Sequence, residues 1–140
     1  MRTVIPSPLL KWSLVVDAAA SASMAVLHLA APDLLVRLLA LPRSLLVETG
    51  MFLLAYVALL LLLARSGRVW ATVVIAVVAG NAAWAIASLL LPTSGLVAAN
   101  AWGVVYIVMQ AIAVAAFAVV QFVGLRQSPA SDPLSPATSS

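Results

Sequence analysis

The chain has 140 residues, of which 65% are hydrophobic and 8% are charged, and its mean hydropathy is +1.19. This composition excludes an ordinary soluble domain, in which about a quarter of the residues are charged. The net charge of +3 comes from basic residues scattered along the chain, so no clustered basic surface for nucleic acid is expected. Because the chain has no cysteine and a single histidine, the sequence predicts neither a metal site nor a cofactor.

The strongest signal is a stretch of fifty-seven residues, Val69 to Leu125, without one Asp, Glu, Lys or Arg. That length suffices for two helical crossings of a bilayer, at about 20 residues each. Spans must be helical, because an open strand in lipid would leave its backbone polar groups unpaired. We therefore predict a single all-α domain, residues 1–126, folded as an antiparallel bundle of four transmembrane helices. The predicted spans are about 12–31, 45–64, 69–91 and 96–125.

The connections between spans predict the arrangement of the helices. Residues 33–41 are apolar with Asp33 and Arg37 at i,i+4, which predicts a short interfacial helix carrying an ion pair. The loops 65–68 and 92–95 are very short, so spans two and three, and spans three and four, are expected to pack as neighbours. The Ser/Pro-rich residues 127–140 are predicted to form a disordered tail.

The basic residues predict the orientation of the chain in the membrane. With both termini inside, five basic residues are cytoplasmic and only Arg37 and Arg43 lie outside, as the positive-inside rule favours. A cleaved signal peptide ending near Ala20-Ser21-Ala22 is an alternative, although Asp17 interrupts its apolar region. We expect a cysteine at position 94, but not one at position 66, to react with an impermeant reagent in intact cells. The reverse labelling would overturn this topology.

Polar residues inside the spans fall on one face of each helix. Span one carries Asp17, Ser21 and His28, span three carries Asn81, Trp84 and Ser88, and span four carries Tyr106, Gln110 and Gln121. We expect these three faces to meet at the bundle axis, with an Asn81–Gln110 hydrogen bond, and we expect His28 to be solvated or interfacial at the end of its span. Amide and hydroxyl groups in spans commonly serve only to hold helices together, and each of their hydrogen bonds contributes about 0.6 kcal/mol to stability. The same set, with Trp84 and Tyr106 as ligand-lining residues, is also the candidate functional site.

Asp17 is the most informative of these residues. A carboxylate near the centre of a span costs about 2.5–3.5 kcal/mol on insertion scales, so it needs a partner or a function. Its partner could be Gln121, or the cation of Lys11 or Arg126. Alternatively, Asp17 couples transport to protons or cations.

Three segments carry a resemblance: 41–46 leading to Gly50, Gly80 to Trp84 with Ser88, and Gln110-Ala111 with 121–126. They resemble a group of uncharacterised four-span bacterial integral membrane proteins that is loosely similar to DoxX-like proteins. The resemblance implies a four-helix bundle in a bacterial inner membrane and assigns no activity or functional residue. DoxX-type proteins are associated with quinone-linked oxidoreductase complexes, but no motif in this chain marks such a link.

Three functions remain open from the sequence. No motif of an enzyme is found, so we expect a non-enzymatic protein, first of all an oligomeric or accessory membrane subunit whose partners are the lipid bilayer and a second copy or another membrane protein. The alternatives are a small proton-coupled transporter using Asp17 and a binder of a lipophilic ligand such as a quinone. A packed axis favours the subunit, a water-filled cavity reaching Asp17 favours transport, and an apolar cleft open to lipid favours the binder.

Overall fold

The computed structural model describes residues 2–131, and these form the predicted bundle of four long apolar helices. A short helix follows the first of them, as predicted for the interface between spans one and two. The helices are α1 (Pro8–Ala30), α2 (Pro32–Leu39), α3 (Arg43–Arg65), α4 (Ala71–Leu90) and α5 (Ala101–Arg126), with a 3₁₀ turn at Leu91–Thr93. Ser7 caps α1 and Asn100 caps α5, each accepting a hydrogen bond from a first-turn amide. Residues 96–100 therefore precede the fourth span instead of belonging to it.

The order of the helices around the bundle is α3, α1, α5, α4. α1 packs along both α3 and α5, and α4 packs along α5, whereas the backbones of α3 and α4 barely approach one another. Spans two and three therefore meet only through side chains and not in the close packing that was predicted. A turn and a short strand separate the ends of these helices, and the rings of Phe52 and Trp84 meet across the gap with their centroids 5.8 Å apart. The bundle consequently has one open side, between α3 and α4.

Glycines mark close crossings between the long helices. A Cβ atom on Gly124 of α5 would lie 2.8 Å from the backbone N and Cα atoms of Leu10 in α1. A Cβ atom on Gly50 of α3 would lie 2.8 Å from Cγ of Leu29. Small residues let transmembrane backbones approach closely, so these glycines hold α1 against both of its neighbours.

The N-terminal segment, the loop between α3 and α4, and the C-terminal segment meet at one end of the bundle. Strand β1 (Thr3–Val4) pairs antiparallel with β2 (Val69–Trp70), and Val4 also bridges to Ala130. Hydroxyls of Ser7 and Ser128 both donate to the carbonyl oxygen of Gly124, at 2.7 and 2.8 Å. We call this region, residues 3–7, 69–70 and 128–131, the terminal cap.

The terminal cap was not predicted from the sequence. Two-residue strands carry no readable alternation, and their pairing joins positions far apart in the chain. Ser128 and Ser131 are buried within it, so the ordered chain continues past residue 126. Residues 132–140, most of the predicted tail, lie outside the described part of the chain.

The opposite end of the bundle is closed by α2. Arg43 Nε lies 3.0 Å from Asp33 Oδ1 in an exposed ion pair, so Asp33 bonds to Arg43 instead of its predicted partner Arg37. The side-chain amide of Asn100 donates to the carbonyl oxygen of Leu38 at 2.9 Å, which ties the start of α5 to α2. Each end of the bundle has its own apolar core, and the polar residues lie between the two cores.

The outer surface of the helices is apolar, as expected where lipid replaces water. Large side chains such as Leu62, Ile86 and Ile112 are more than half exposed. Trp12, Trp70 and Trp102 are also exposed and lie near helix starts, where tryptophans prefer the interface of a membrane. The protein is a multi-pass membrane protein whose N- and C-terminal segments lie at the same end of the bundle.

Candidate functional site

A cavity of about 300 Å³ lies on the open side of the bundle, between α3 and α4. Its walls are largely apolar, and α1 and α5 form its floor with residues that include Met24, Val114 and Phe117. Gly80 lines it from α4, and a Cβ atom there would meet no atom within 4 Å. Because the backbones of α3 and α4 stand apart, this cavity faces the lipid.

Asp17 lies at the polar end of the cavity in a network that reaches all four long helices. Its Oδ2 atom is 2.8 Å from Tyr56 Oη, 2.7 Å from Gln121 Nε2 and 3.3 Å from Asn81 Nδ2. Its Oδ1 atom accepts a hydrogen bond from Ser21 Oγ at 3.1 Å. Asp17 is 3% exposed and Gln121 is fully buried. We call these five residues the Asp17 cluster.

Asn81 completes the cluster. Its Nδ2 atom lies 3.1 Å from Gln121 Oε1, and its Oδ1 atom lies 2.8 Å from Tyr56 Oη. The Tyr56–Asn81 contact joins α3 to α4 across the open side, so hydrogen bonding partly replaces the missing backbone packing there.

Depth along the helices explains why three residues of the cluster meet. At 1.5 Å per residue, Asp17, Tyr56 and Asn81 each lie about 14–15 Å along their helices from the end that carries the terminal cap. Gln110 lies about 24 Å from that end of α5, too deep for the predicted bond with Asn81. That prediction was wrong, because span four was taken to begin at residue 96, which placed Gln110 at its middle, whereas α5 begins at Ala101 and Gln110 lies in its first half.

Gln121, one of the partners predicted for Asp17, forms a hydrogen bond with it. Neither Lys11 nor Arg126 forms an ion pair with it, since Arg43–Asp33 is the one salt bridge among residues 2–131. Tyr56 was not predicted as a site residue. The signal that could have singled it out is its position as the one hydroxyl near the middle of an otherwise apolar span.

A smaller cavity of about 160 Å³ lies closer to α2 and shares Trp84 and Gln110 with the larger one. His28 lines it, and its Nε2 atom lies 2.7 Å from Tyr106 Oη. His28 is 3% exposed, so the predicted solvated or interfacial position is wrong: the side chain points into the bundle, where Gly50 leaves room beside it. The Nδ1 atom is buried without a hydrogen bond to any described residue.

The other predicted residues border these cavities. Gln110 Nε2 lies 3.4 Å from Ser88 Oγ, a long contact between α5 and α4. Trp84 lines both cavities, whereas Tyr106 lines only the smaller one. The proposed ligand-lining pair is thus divided between two neighbouring spaces.

Three aromatic rings form a column at the mouth of the larger cavity. Phe52 stacks on Tyr56 with an interplanar angle of 9° and on Trp84 with an angle of 4°. Phe52 is 56% exposed, so the column lies where the cavity meets the lipid. A ligand entering from the membrane would pass these rings before it reaches Asp17.

These features define a four-span membrane protein with a lipid-facing cavity that ends at a hydrogen-bonded carboxyl group. Comparisons with family models, with curated proteins and with solved structures found no match for the chain. The resemblance to DoxX-like proteins therefore stays a prediction from the sequence.

Proposed function

We propose that this protein binds a lipophilic small molecule in the cavity between α3 and α4, within a bacterial inner membrane and with its N- and C-terminal segments in the cytoplasm. The observation that carries the proposal is the cavity itself: about 300 Å³ with apolar walls, an opening toward lipid, and polar groups at one end. Binding sites for small molecules commonly combine apolar walls with a few convergent polar groups.

The shape of the bundle supports this function over the accessory-subunit hypothesis, for which a packed axis was expected. Small residues of α4, Ala76, Gly80 and Ala87, line the cavities and are exposed. Larger side chains at these positions would fill the space. The pattern of small residues on α4 is therefore the sequence feature that creates the binding space.

Benzophenone is a suitable probe, since it is neutral and lipophilic, has one carbonyl acceptor, and forms covalent adducts with nearby C–H bonds under ultraviolet light. We expect saturable adducts on residues that line the cavity, such as Met24, Phe52 and Val114, when the purified protein in lipid nanodiscs is illuminated. Peptide mass spectrometry locates the adducts.

A matched pair of variants separates cavity binding from reaction at the lipid surface. Gly80→Leu places a side chain in the open space of the cavity and is expected to abolish the saturable adducts. Ala79→Leu, at the adjacent exposed position outside the cavity lining, is expected to leave them unchanged. Adducts that are equally abundant in both variants, or that never saturate, would contradict the proposed function.

A further inference from the structure

Among residues 2–131, Asp17 and the hydroxyl of Tyr56 are the only ionisable groups that line the larger cavity. The groups that face Asp17 from the neighbouring helices are the hydroxyl of Tyr56 on α3 and the amides of Asn81 and Gln121 on α4 and α5. No cationic side chain among residues 2–131 pairs with it. An ionised Asp17 would therefore be a buried charge without a counterion, which is costly in a medium of low dielectric constant.

The hydrogen bonds of the Asp17 cluster can be counted proton by proton. Tyr56 Oη lies 2.8 Å from Asp17 Oδ2 and also 2.8 Å from Asn81 Oδ1. A tyrosine hydroxyl has one proton and can donate it to only one of these oxygens. If Asp17 is ionised, the other contact joins two oxygen atoms with no proton between them.

One additional proton on Asp17 removes this conflict. Asp17 Oδ2 then donates to Tyr56 Oη, and Tyr56 donates to Asn81 Oδ1, each across 2.8 Å. Asn81 Nδ2 donates to Gln121 Oε1 across 3.1 Å, and Gln121 Nε2 donates to Asp17 Oδ2 across 2.7 Å. The second proton of Asn81 Nδ2 is left for the 3.3 Å contact with Asp17 Oδ2, so every contact of the cluster has one proton.

The cavity is also suited to a positive charge. Tyr56, Phe52 and Trp84 cover one another's faces by stacking, so the group that attracts a cation here is the carboxyl group of Asp17 at the polar end of the cavity. A cation that entered would stabilise the carboxylate and displace its proton. Exchange of one proton for one monovalent cation leaves the site neutral in both states, so that neither state contains an unpaired buried charge.

We infer that the ligand of this cavity is a lipophilic monovalent cation, which binds in exchange for one proton that Asp17 holds in the empty site. On binding, the O–H bond of Asp17 breaks, the proton passes to the aqueous phase, and the carboxylate pairs with the cation. This inference rests on the proposed function, since it specifies the ligand class of the same cavity.

The first test compares two competitors of benzophenone labelling: tetraphenylphosphonium, a cation, and triphenylphosphine oxide, a neutral molecule with similar aromatic groups. We expect the cation to suppress the adducts at about a tenfold lower concentration. Suppression by the neutral compound at equal or lower concentration would overturn the inference while leaving the proposed function intact. Absence of saturable adducts with benzophenone itself would instead contradict the proposed function.

The second test measures protons. Wild-type protein in weakly buffered detergent solution with a pH indicator is expected to release about one proton per tetraphenylphosphonium bound. Asp17→Asn is expected to release none and to lose the preference for the cation, whereas Asp17→Glu, which keeps a carboxyl group, retains the release. Binding of the cation to the wild type without proton release would overturn the exchange, whether or not the variants fold.

Discussion

Replacement of Asp17 by alanine is expected to lower the free energy of unfolding by about 2–4 kcal/mol, since hydrogen bonds between transmembrane side chains contribute about 0.6–1.7 kcal/mol each. The carboxyl group is within bonding distance of side chains on three other helices: Tyr56, Asn81 and Gln121. Loss of the carboxyl group leaves buried polar atoms of these three side chains without their shared partner. Unfolding of the purified protein by sodium dodecyl sulfate in mixed micelles, followed by helical circular dichroism, measures the change.

Asp33→Ala is the matched control for this prediction. Asp33 is also an aspartate with a bonded partner, but its ion pair with Arg43 is exposed, with side-chain exposures of 75% and 62%. Exposed pairs contribute about 0–1 kcal/mol, so Asp33→Ala should change the stability by less than 1 kcal/mol. Equal effects of the two alanine variants would show that the Asp17 cluster does not hold the helices together.

The second large effect is expected at Gly124, where even Gly124→Ala should destabilise the bundle by about 1–3 kcal/mol, the usual cost of overpacking. A Cβ atom there would lie 2.8 Å from backbone atoms of Leu10, which cannot move without shifting α1. The same shift would strain the hydrogen bonds of Ser7 and Ser128 to the Gly124 carbonyl oxygen. The effect should therefore reach the terminal cap.

Thermal unfolding in detergent and amide hydrogen exchange measure these two consequences. We expect a lower midpoint for Gly124→Ala and faster exchange of the Ser7 amide, which donates to Ser128 Oγ at 2.9 Å. Gly80→Ala is the control, because its added methyl group enters open space. An unchanged midpoint in Gly124→Ala would mean that α1 and α5 are not in close backbone contact.

The candidate site was predictable where one helix alone supplied the signal. Asp17 and Ser21 are four residues apart on α1, so their contact follows from helical periodicity. The Asp17–Gln121 bond was among the partners considered, because both residues lie near the same ends of their spans. The Asn81–Gln110 bond failed because span four was taken to begin five residues before α5, and five residues correspond to about 8 Å along a helix.

Other features could not be read from the sequence at all. Tyr56 looked like a single hydroxyl in an apolar span, and only its neighbours on α1 and α4 make it part of the Asp17 cluster. His28 lies near a span end, where exposure is the ordinary expectation, yet the close approach of α1 to α3 at Gly50 buries it.

The amino-acid sequence by itself determined the solvent of this protein, the number of its spans and their helical structure. These properties depend on hydropathy summed along continuous segments, and they do not require knowledge of which segments touch. Only the tertiary structure decided which helices pack together, that α3 and α4 stand apart, and that a cavity ending at Asp17 lies between them. The reason is physical: in lipid every helix has an apolar surface, so hydropathy does not choose neighbours, and the choice falls to close-packed glycines and a few buried hydrogen bonds.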